Sequence, residues 1–407
     1  MVINTTGGPP LRDATVIVRD GRIAEIGSAK PPQDADILDG SGKFLIPGLW
    51  DMHVHLSWTT SSALPVLVAN GVTTVRDLGS RFGEIDEWRT KIAAGLMTGP
   101  RILRVGPILN GQKFNEYQIV TGNPDETRGV ARALTQIGVD FLKVHRRMPR
   151  DSYFALIDEG KKLGISVVGH IPLSVAPEEA SNAGQATIEH TETLFEGTFA
   201  TAHKDEKLAY AIRHFREDGE AERLFAVFVK NHTVVDPTLA AWLPIVTGQR
   251  GSDPRMRYVA ASNKKSIPEI PSEDLQGYRE TFAEFRKVVG LMNRTGVTLV
   301  TGTDVAGPRI PGFPLHDELA LFVESGLTPM QAIQAATITS AKVVGKSNEL
   351  GSIEVGKIAD LVLLDANPLD DIHNTQKIAA VIVGGRLLRR ADLDALLRLG
   401  EELAAKN

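Results

Sequence analysis

Between Leu45 and about residue 345, eight short apolar runs alternate with longer amphipathic segments. The runs are LIPGLWDMHVH, GVTTVRDLG, RILRVGPILNG, DFLKVHRR, SVVGHIP, ATIEHTET, HTVVDPTL and VTLVTGTDVAG. Short apolar runs bounded by glycine or polar residues read as buried strands, and the segments between them carry helical periodicity. Strict alternation of strand and helix calls for an α/β fold with a parallel sheet and crossover helices. Eight such units predict a closed (β/α)8 TIM-like barrel rather than an open sheet. The helices include stretches from Asp125 and from Asp151, each expected to open on an acidic cap and to end at glycine.

The flanks have a different texture. Residues 11 to 28 and 351 to 388 carry short β-hairpin patterns, with D-G or G-G pairs at the turns. They predict one small β-sandwich domain built from both chain ends, residues 1–45 and 348–390, interrupted by a barrel at 46–347 and followed by a C-terminal helix at 391–407. Two connections are too long for ordinary loops, about 194 to 231 and about 240 to 296, and both are expected over the barrel mouth. The second contains AAWLPIVTG and DLQGYRETFAEFRKVVGLMNRTG, which predict a largely helical lid.

Composition narrows the chemistry. The formal net charge of −5 supplies no basic excess for nucleic acid or an anionic membrane surface. No run has the length of a transmembrane helix. The 407 residues include no cysteine, which excludes disulfides, thiolate metal sites and cysteine nucleophiles together. Any metal must therefore be held by His, Asp, Glu or Lys-derived oxygens. The opening MVINTTGGPP has neither the basic region nor the apolar stretch of a signal peptide. The expected compartment is the cytoplasm, or outside the cell if an upstream segment has been trimmed.

Polar, metal-competent residues recur at the strand ends: His53 and His55 in the first run, Lys143 in the fourth, His170 in the fifth, His190 in the sixth and Asp304 in the eighth. On a strand, residues i and i+2 share a face, so His53 and His55 aim at one point. Taken singly, each residue has a plainer reading. His170 and His190 can be satisfied core histidines, Lys143 a salt-bridged barrel lysine, and Asp304 a turn-former beside glycine. In a barrel, however, the C-terminal strand ends face one another around the mouth. One metal centre accounts for all six positions at once.

These motifs, together with PLHDELALFVESGLTPMQAIQAAT and GSIEVGKIADLVLLDANPL further on, resemble the amidohydrolase superfamily, in particular its imidazolonepropionase-like and prolidase-like branch. The likeness runs nearly end to end, with an incomplete-looking first sandwich strand. It implies one divalent ion on His53, His55 and Asp304, a second on His170 and His190, and a CO2-derived carbamate on Lys143 bridging both. Such nitrogen and oxygen ligands suit Zn, with Mn, Fe or Co as alternatives. The implied reaction is attack of a metal-bridging hydroxide on an amide carbonyl, with Asp304 passing the proton to the leaving nitrogen. The substrate is expected to be a small-molecule amide or peptide, namely a dipeptide or N-acyl amino acid. The same centre also accepts a urea, carbamate, lactone or cyclic amide, and a non-catalytic scaffold is the reading from another class. Alternation along the fourth strand places His145 and Arg147 toward the mouth, where Arg147 could clamp a substrate carboxylate or belong to a solvated cluster with Arg146 and Arg150. Tyr117 and Trp242 are further pocket candidates. His316 opens a helix, with a capping or supporting role, and a homo-oligomer is compatible with the sequence.

Overall fold

The computed structural model describes residues 1–248, 251–265, 271 and 274–407. Eight strands form the barrel: Leu49–Val54, Val72–Asp77, Arg101–Arg104, Leu142–Val144, Val167–Gly169, Thr187–Glu189, Val234–Asp236 and Thr298–Leu299. The first three pair in parallel, as do the last five. Backbone hydrogen bonds join the two arcs. Asp140 N–H donates to Arg104 C=O at 2.8 Å, while Met52 and His55 N–H donate to Thr301 and Val305 C=O at 2.8 and 2.9 Å. Closure leaves no free edge, and outside helices cover the sheet, so the strands are buried on both faces except at Arg101 and Thr298, which is why these runs are mainly apolar.

Two of the predicted strands are broken. LIPGLWDMHVH splits at Gly48, where a Cβ would stand 2.2 Å from Thr73 Oγ1. Phe44–Pro47 therefore pairs with Leu361–Leu364 in the sandwich, and the chain changes sheet at Gly48 rather than between residues 45 and 46. RILRVGPILNG also divides. Arg101–Arg104 stays in the barrel, whereas Ile108–Asn110 pairs with Gln118–Val120 and meets the fourth strand at Leu109 opposite Val144.

The sandwich is a four-stranded sheet in the order Arg386–Arg389, Ile378–Val383, Leu361–Leu364, Phe44–Pro47, faced by the hairpin Thr15–Arg19 with Arg22–Gly27. Ile23, Ile353 and Leu361 are buried between the layers, against Val16, Val18 and Ile382. Asp20-Gly21 and Gly384-Gly385 make the two turns. Leu361–Leu364 is an inner strand of its sheet, paired antiparallel with both Phe44–Pro47 and Ile378–Val383.

Helices Pro124–Ile137 and Arg150–Leu163 end at Gly138 and Gly164 as expected, but their caps differ. Asn123 Oδ1 accepts from Glu126 N–H at 3.0 Å, and the second helix starts from Pro149 with no side-chain cap. Asp125 and Asp151 lie in the first turns, where the helix dipole favours negative charge.

The first long connection does not cover the mouth. Its helices Leu208–Glu217 and Glu220–Asn231 pack on the outer helices Leu275–Thr295 and Pro177–Ala183. They are amphipathic, and Ile212, Phe215, Phe225 and Phe228 bury their apolar faces there. The second connection covers the mouth only in its first part, Leu239–Trp242, Leu243–Thr247 and Pro254–Tyr258; Leu275–Thr295, expected in the lid, is an outer helix packed on Leu208–Glu217 and Glu220–Asn231. The tail Arg390–Lys406 packs on Ala63–Ala69. Among the described residues, no helix is long and apolar enough to cross a membrane.

Candidate metal centre

The strand ends bring the six residues together. His53 lies in the first strand and His55 just beyond it; Lys143 lies in the fourth, and His170, His190 and Asp304 follow the fifth, sixth and eighth. Imidazole rings form a continuous arc. Centroid separations are 5.2 Å for His55–His53, 4.6 Å for His53–His190, 4.6 Å for His190–His170 and 4.4 Å for His170–His145. Asp304 Oδ1 stands 3.4 Å from Nε2 of both His53 and His55. Gly302 permits this approach, since a Cβ there would lie 2.2 Å from Asp236 Oδ2 and 2.6 Å from His53 Cβ.

Several buried polar atoms in this arc have no hydrogen bond: both ring nitrogens of His53, His170 Nδ1 and Lys143 Nζ, on a side chain in a residue only 1 % exposed. Buried polar groups are otherwise almost always paired. Burial holds His53 and His170 well below the ordinary histidine range and His190 down to about 4, so their rings are neutral donors at neutral pH. Burial likewise pulls Lys143 down to about 8, with Arg76 acting in the same sense and Glu189, Asp304 and Asp236 opposing. Asp304 is held well below its usual range: burial opposes ionisation, but Arg309, His190 and the His55 contact outweigh it. Neutral imidazoles, a carboxylate and an amine close to its neutral form make a donor set that fits divalent cations.

The supporting contacts orient these donors. His55 Nδ1–H donates to Gly79 C=O at 3.2 Å, which leaves Nε2 facing Asp304. His190 Nδ1 is 2.8 Å from Thr238 Oγ1. His190, Thr238 and Asp304 all have positive φ, at 70°, 48° and 50°, a conformation that strains non-glycine residues by roughly 1–3 kcal/mol each. The surrounding structure holds this strain at the mouth.

Above the arc lies a cavity of about 620 Å³. Lys143, His145, His170 and His190 line its floor, while Leu243, Ile245, Met256 and Ile310 give it an apolar wall. Residues 44–388 match the profile of the Amidohydrolase family. The chain belongs to the amidohydrolase family. Among its relatives, imidazolonepropionase from Symbiobacterium thermophilum is 24 % identical over 409 residues, covering 89 % of this chain and 88 % of that protein. Ochratoxinase from Aspergillus niger is 24 % identical over 453 residues, covering 94 % and 84 %. A solved Xaa-Pro dipeptidase with methionine in its active site has the same fold, with a TM-score of 0.72 at 22 % identity, covering 95 % of this chain and 98 % of that one. This amidohydrolase is thus a hydrolase acting on C–N bonds, and its fold is the barrel with a β-sandwich.

In this amidohydrolase the outer candidates scatter. His145 lines the cavity, but Arg147 lies outside it, beside Glu196 and His203 in a separate depression. Arg147 Nη1 donates to Gln112 Oε1 at 2.6 Å and its guanidinium covers the Phe114 ring at 4.6 Å. Arg146 pairs with Glu196 and Arg150 with Glu179. Tyr117 stacks on Trp58 at 4.9 Å, behind the cavity wall, and Trp58 in turn stacks on His55 at 4.7 Å. Trp242 Nε1–H donates to Glu192 at 3.2 Å, away from the lining. His316 is buried on the outer side, bonded to Asn70 C=O and Thr375.

Other residues of the site carried no sequence expectation. Asp51 Oδ1 accepts from Thr303 N–H at 3.0 Å and Oδ2 from Thr303 Oγ1–H at 2.6 Å, tying the first strand to the Asp304 loop. Beneath His53, Glu189 Oε2 lies 3.3 Å from Nδ1, and with Asp236 these form a second cluster of metal-competent atoms. Its cation is Arg76, whose Nη2 is 2.8 Å from Glu189 and 3.8 Å from Asp236. Charged residues inside the otherwise apolar runs VTTVRD, TIEH and VVDP were the available signal.

Proposed function

We propose that this protein is a binuclear metal-dependent amide hydrolase acting on an N-acyl amino acid or dipeptide. The carrying observation is the convergence of His55, His170, His190, the buried unpaired Lys143 and Asp304 on the floor of one mainly apolar cavity, with His53 buried directly against them. His53, His55 and Asp304 would hold one ion and His170 and His190 the other, with Lys143, as a carbamate, supplying further oxygen ligands.

 Zn suits these nitrogen and oxygen donors, with Mn, Fe or Co as alternatives. Bound ions would supply the positive charge that polarises the scissile carbonyl and makes water acidic enough to attack near neutral pH.

The chain's own residues do the rest. Two of the rings are oriented by contacts at Nδ1, His55 with Gly79 C=O and His190 with Thr238 Oγ1, which leaves Nε2 of each free to serve as a ligand. Asp304 would take a proton from the attacking water and deliver it to the leaving nitrogen. The relatives are named for unlike substrates, so the substrate is read from the cavity, whose aliphatic wall suits an apolar group beside the amide.

The test is metal analysis together with hydrolysis of N-acyl amino acids and dipeptides, run beside ureas, esters and lactones. Two metal equivalents per chain are expected, and chelation should stop turnover. Asp304→Asn should lower kcat by about 100- to 10,000-fold while circular dichroism remains that of the native fold. A near-normal kcat in that variant removes the proton-transfer role. Turnover confined to ureas, esters or lactones removes the amide assignment.

A further inference from the structure

Two arginines reach the cavity lining, and they differ in what they have left to offer. Arg255 is saturated with negative charge. Its Nε and Nη2 lie 2.8 to 3.1 Å from the Asp253 carboxylate, and its Nη1 is 3.1 Å from Asp317 Oδ2. Arg309 is engaged through Nη1 alone, with the Asp304 side chain and, at 2.6 Å, the Asp304 C=O. Nε and Nη2 of Arg309 have no hydrogen-bond partner among the described residues, and the side chain is 35 % exposed toward the cavity.

We infer that Arg309 is the anchor for the substrate carboxylate, exchanging the Asp304 side chain for the substrate's acid group when the substrate binds. The inference rests on the amide-hydrolase reading and names the substrate class that this site prefers: N-acyl amino acids or dipeptides with a free α-carboxylate and an apolar side chain. In such a substrate the scissile carbonyl carbon and the carboxylate carbon are separated by three bonds, under about 4 Å. A guanidinium already touching Asp304 is therefore at the distance from the floor that one amino-acid residue spans. The unused Nε–H and Nη2–H edge meets the incoming carboxylate in the two-bond, parallel geometry that arginine favours, and turning that edge toward it takes Nη1 off Asp304.

The exchange also has a consequence at Asp304. The side-chain oxygen that Arg309 holds is the one not facing His53 and His55, whose ring nitrogens lie 3.4 Å from Oδ1. A substrate carboxylate that draws Arg309 away leaves that oxygen open to take a proton. A substrate without a carboxylate leaves Arg309 where it is. Discrimination should thus fall on kcat as well as KM.

The experiment compares N-acetyl-L-leucine with its N-methylamide, following release of the free amino group by metal-loaded wild type, Arg309→Gln and Arg309→Lys. Wild type should favour the acid in kcat/KM. Arg309→Gln should reduce the acid-to-methylamide ratio by about tenfold to a hundredfold, the range expected for lost hydrogen bonds to a charged group. Arg309→Lys, which keeps the charge without the planar fork, should restore part of the ratio. A second readout needs no turnover: calorimetric binding of N-acetyl-L-leucine to chelator-treated protein should weaken in Arg309→Gln, with unchanged thermal unfolding as the folding control. Binding that depends on Arg309 without cleavage upholds the anchor and removes the amide-hydrolase reading. Cleavage with the same acid-to-methylamide ratio in wild type and Arg309→Gln overturns the anchor and leaves that reading standing. Failure of wild type both to bind and to cleave the acid overturns the anchor as well.

Discussion

Lys143 is the residue whose burial packing alone does not explain. Its Nζ is enclosed without a hydrogen bond, although lysine is almost never fully buried unless paired. Burial draws it down to about 8, which keeps a useful fraction of neutral amine near physiological pH, the form that can add CO2. Lys143→Ala should therefore bind less metal and lose at least about 100-fold in activity. Added acetate or propionate should recover part of both, by occupying the space as a loose carboxylate. Two full metal equivalents and normal turnover in Lys143→Ala would remove the bridging role. The convergence of the six residues was legible in the sequence because each is a metal-competent type at the end of an apolar run. Arg147 was not, because alternation of faces holds only while the chain stays extended. Met148 N–H donates to His145 C=O at 3.1 Å, closing a turn that carries Arg147 away from the mouth while His145 keeps its place.

At the scale of elements, the first turn of the lid, Leu239–Trp242, is fastened from below by the Glu318 carboxylate, while Asp317 on the same helix holds Arg255 further along. Glu318 is fully buried on helix Pro314–Glu324 and accepts from Leu239 N–H at 3.1 Å and Ala240 N–H at 2.6 Å. Those two amides open the turn Leu239–Trp242, directly after Thr238, whose hydroxyl meets His190. Lid, helix and floor are thus connected through adjacent residues. Glu318→Gln retains the shape but sets an amide NH2 against one of the backbone donors. It should cost about 1–3 kcal/mol in urea unfolding and speed hydrogen exchange at Leu239 and Ala240. Unchanged exchange at both amides would show that the lid is held by other contacts. The eight strands were legible from their apolar runs and the lid from the length of its segment, although the helical periodicity there belongs to the outer helix Leu275–Thr295. The destination of the 194–231 helices was not, since an amphipathic pattern says that a face must be covered without saying by what.

The whole molecule depends on how its flanks are stitched to the barrel, and His316 joins three segments at once. Its Nε2 is 3.1 Å from Asn70 C=O, at the end of helix Ala63–Ala69, and its Nδ1 is 3.0 Å from Thr375 Oγ1 in the turn Ile372–Gln376. The carbonyl can only accept, so Nε2 carries the hydrogen and the neutral ring receives the Thr375 hydroxyl at Nδ1. Burial, with Arg255 adding to it, lowers His316 to about 4, while the Asn70 bond opposes the shift. The unfolded chain takes up a proton at an ordinary histidine value of about 6.5 that the folded chain refuses. Stability from this group is therefore complete above about pH 6.5 and is lost as pH falls toward about 4, with about 2 kcal/mol gone by about pH 5. His316→Gln keeps a donor for Asn70 and an acceptor for Thr375 but cannot titrate. In chelator, so that ligand protonation plays no part, urea unfolding of wild type should weaken more between about pH 7 and about pH 5 than that of the variant, by about 2 kcal/mol. Equal losses in the two proteins would mean that the ring accepts its proton in the fold, with Thr375 turning its hydroxyl to Ile372 C=O, 2.9 Å away, to receive the new N–H.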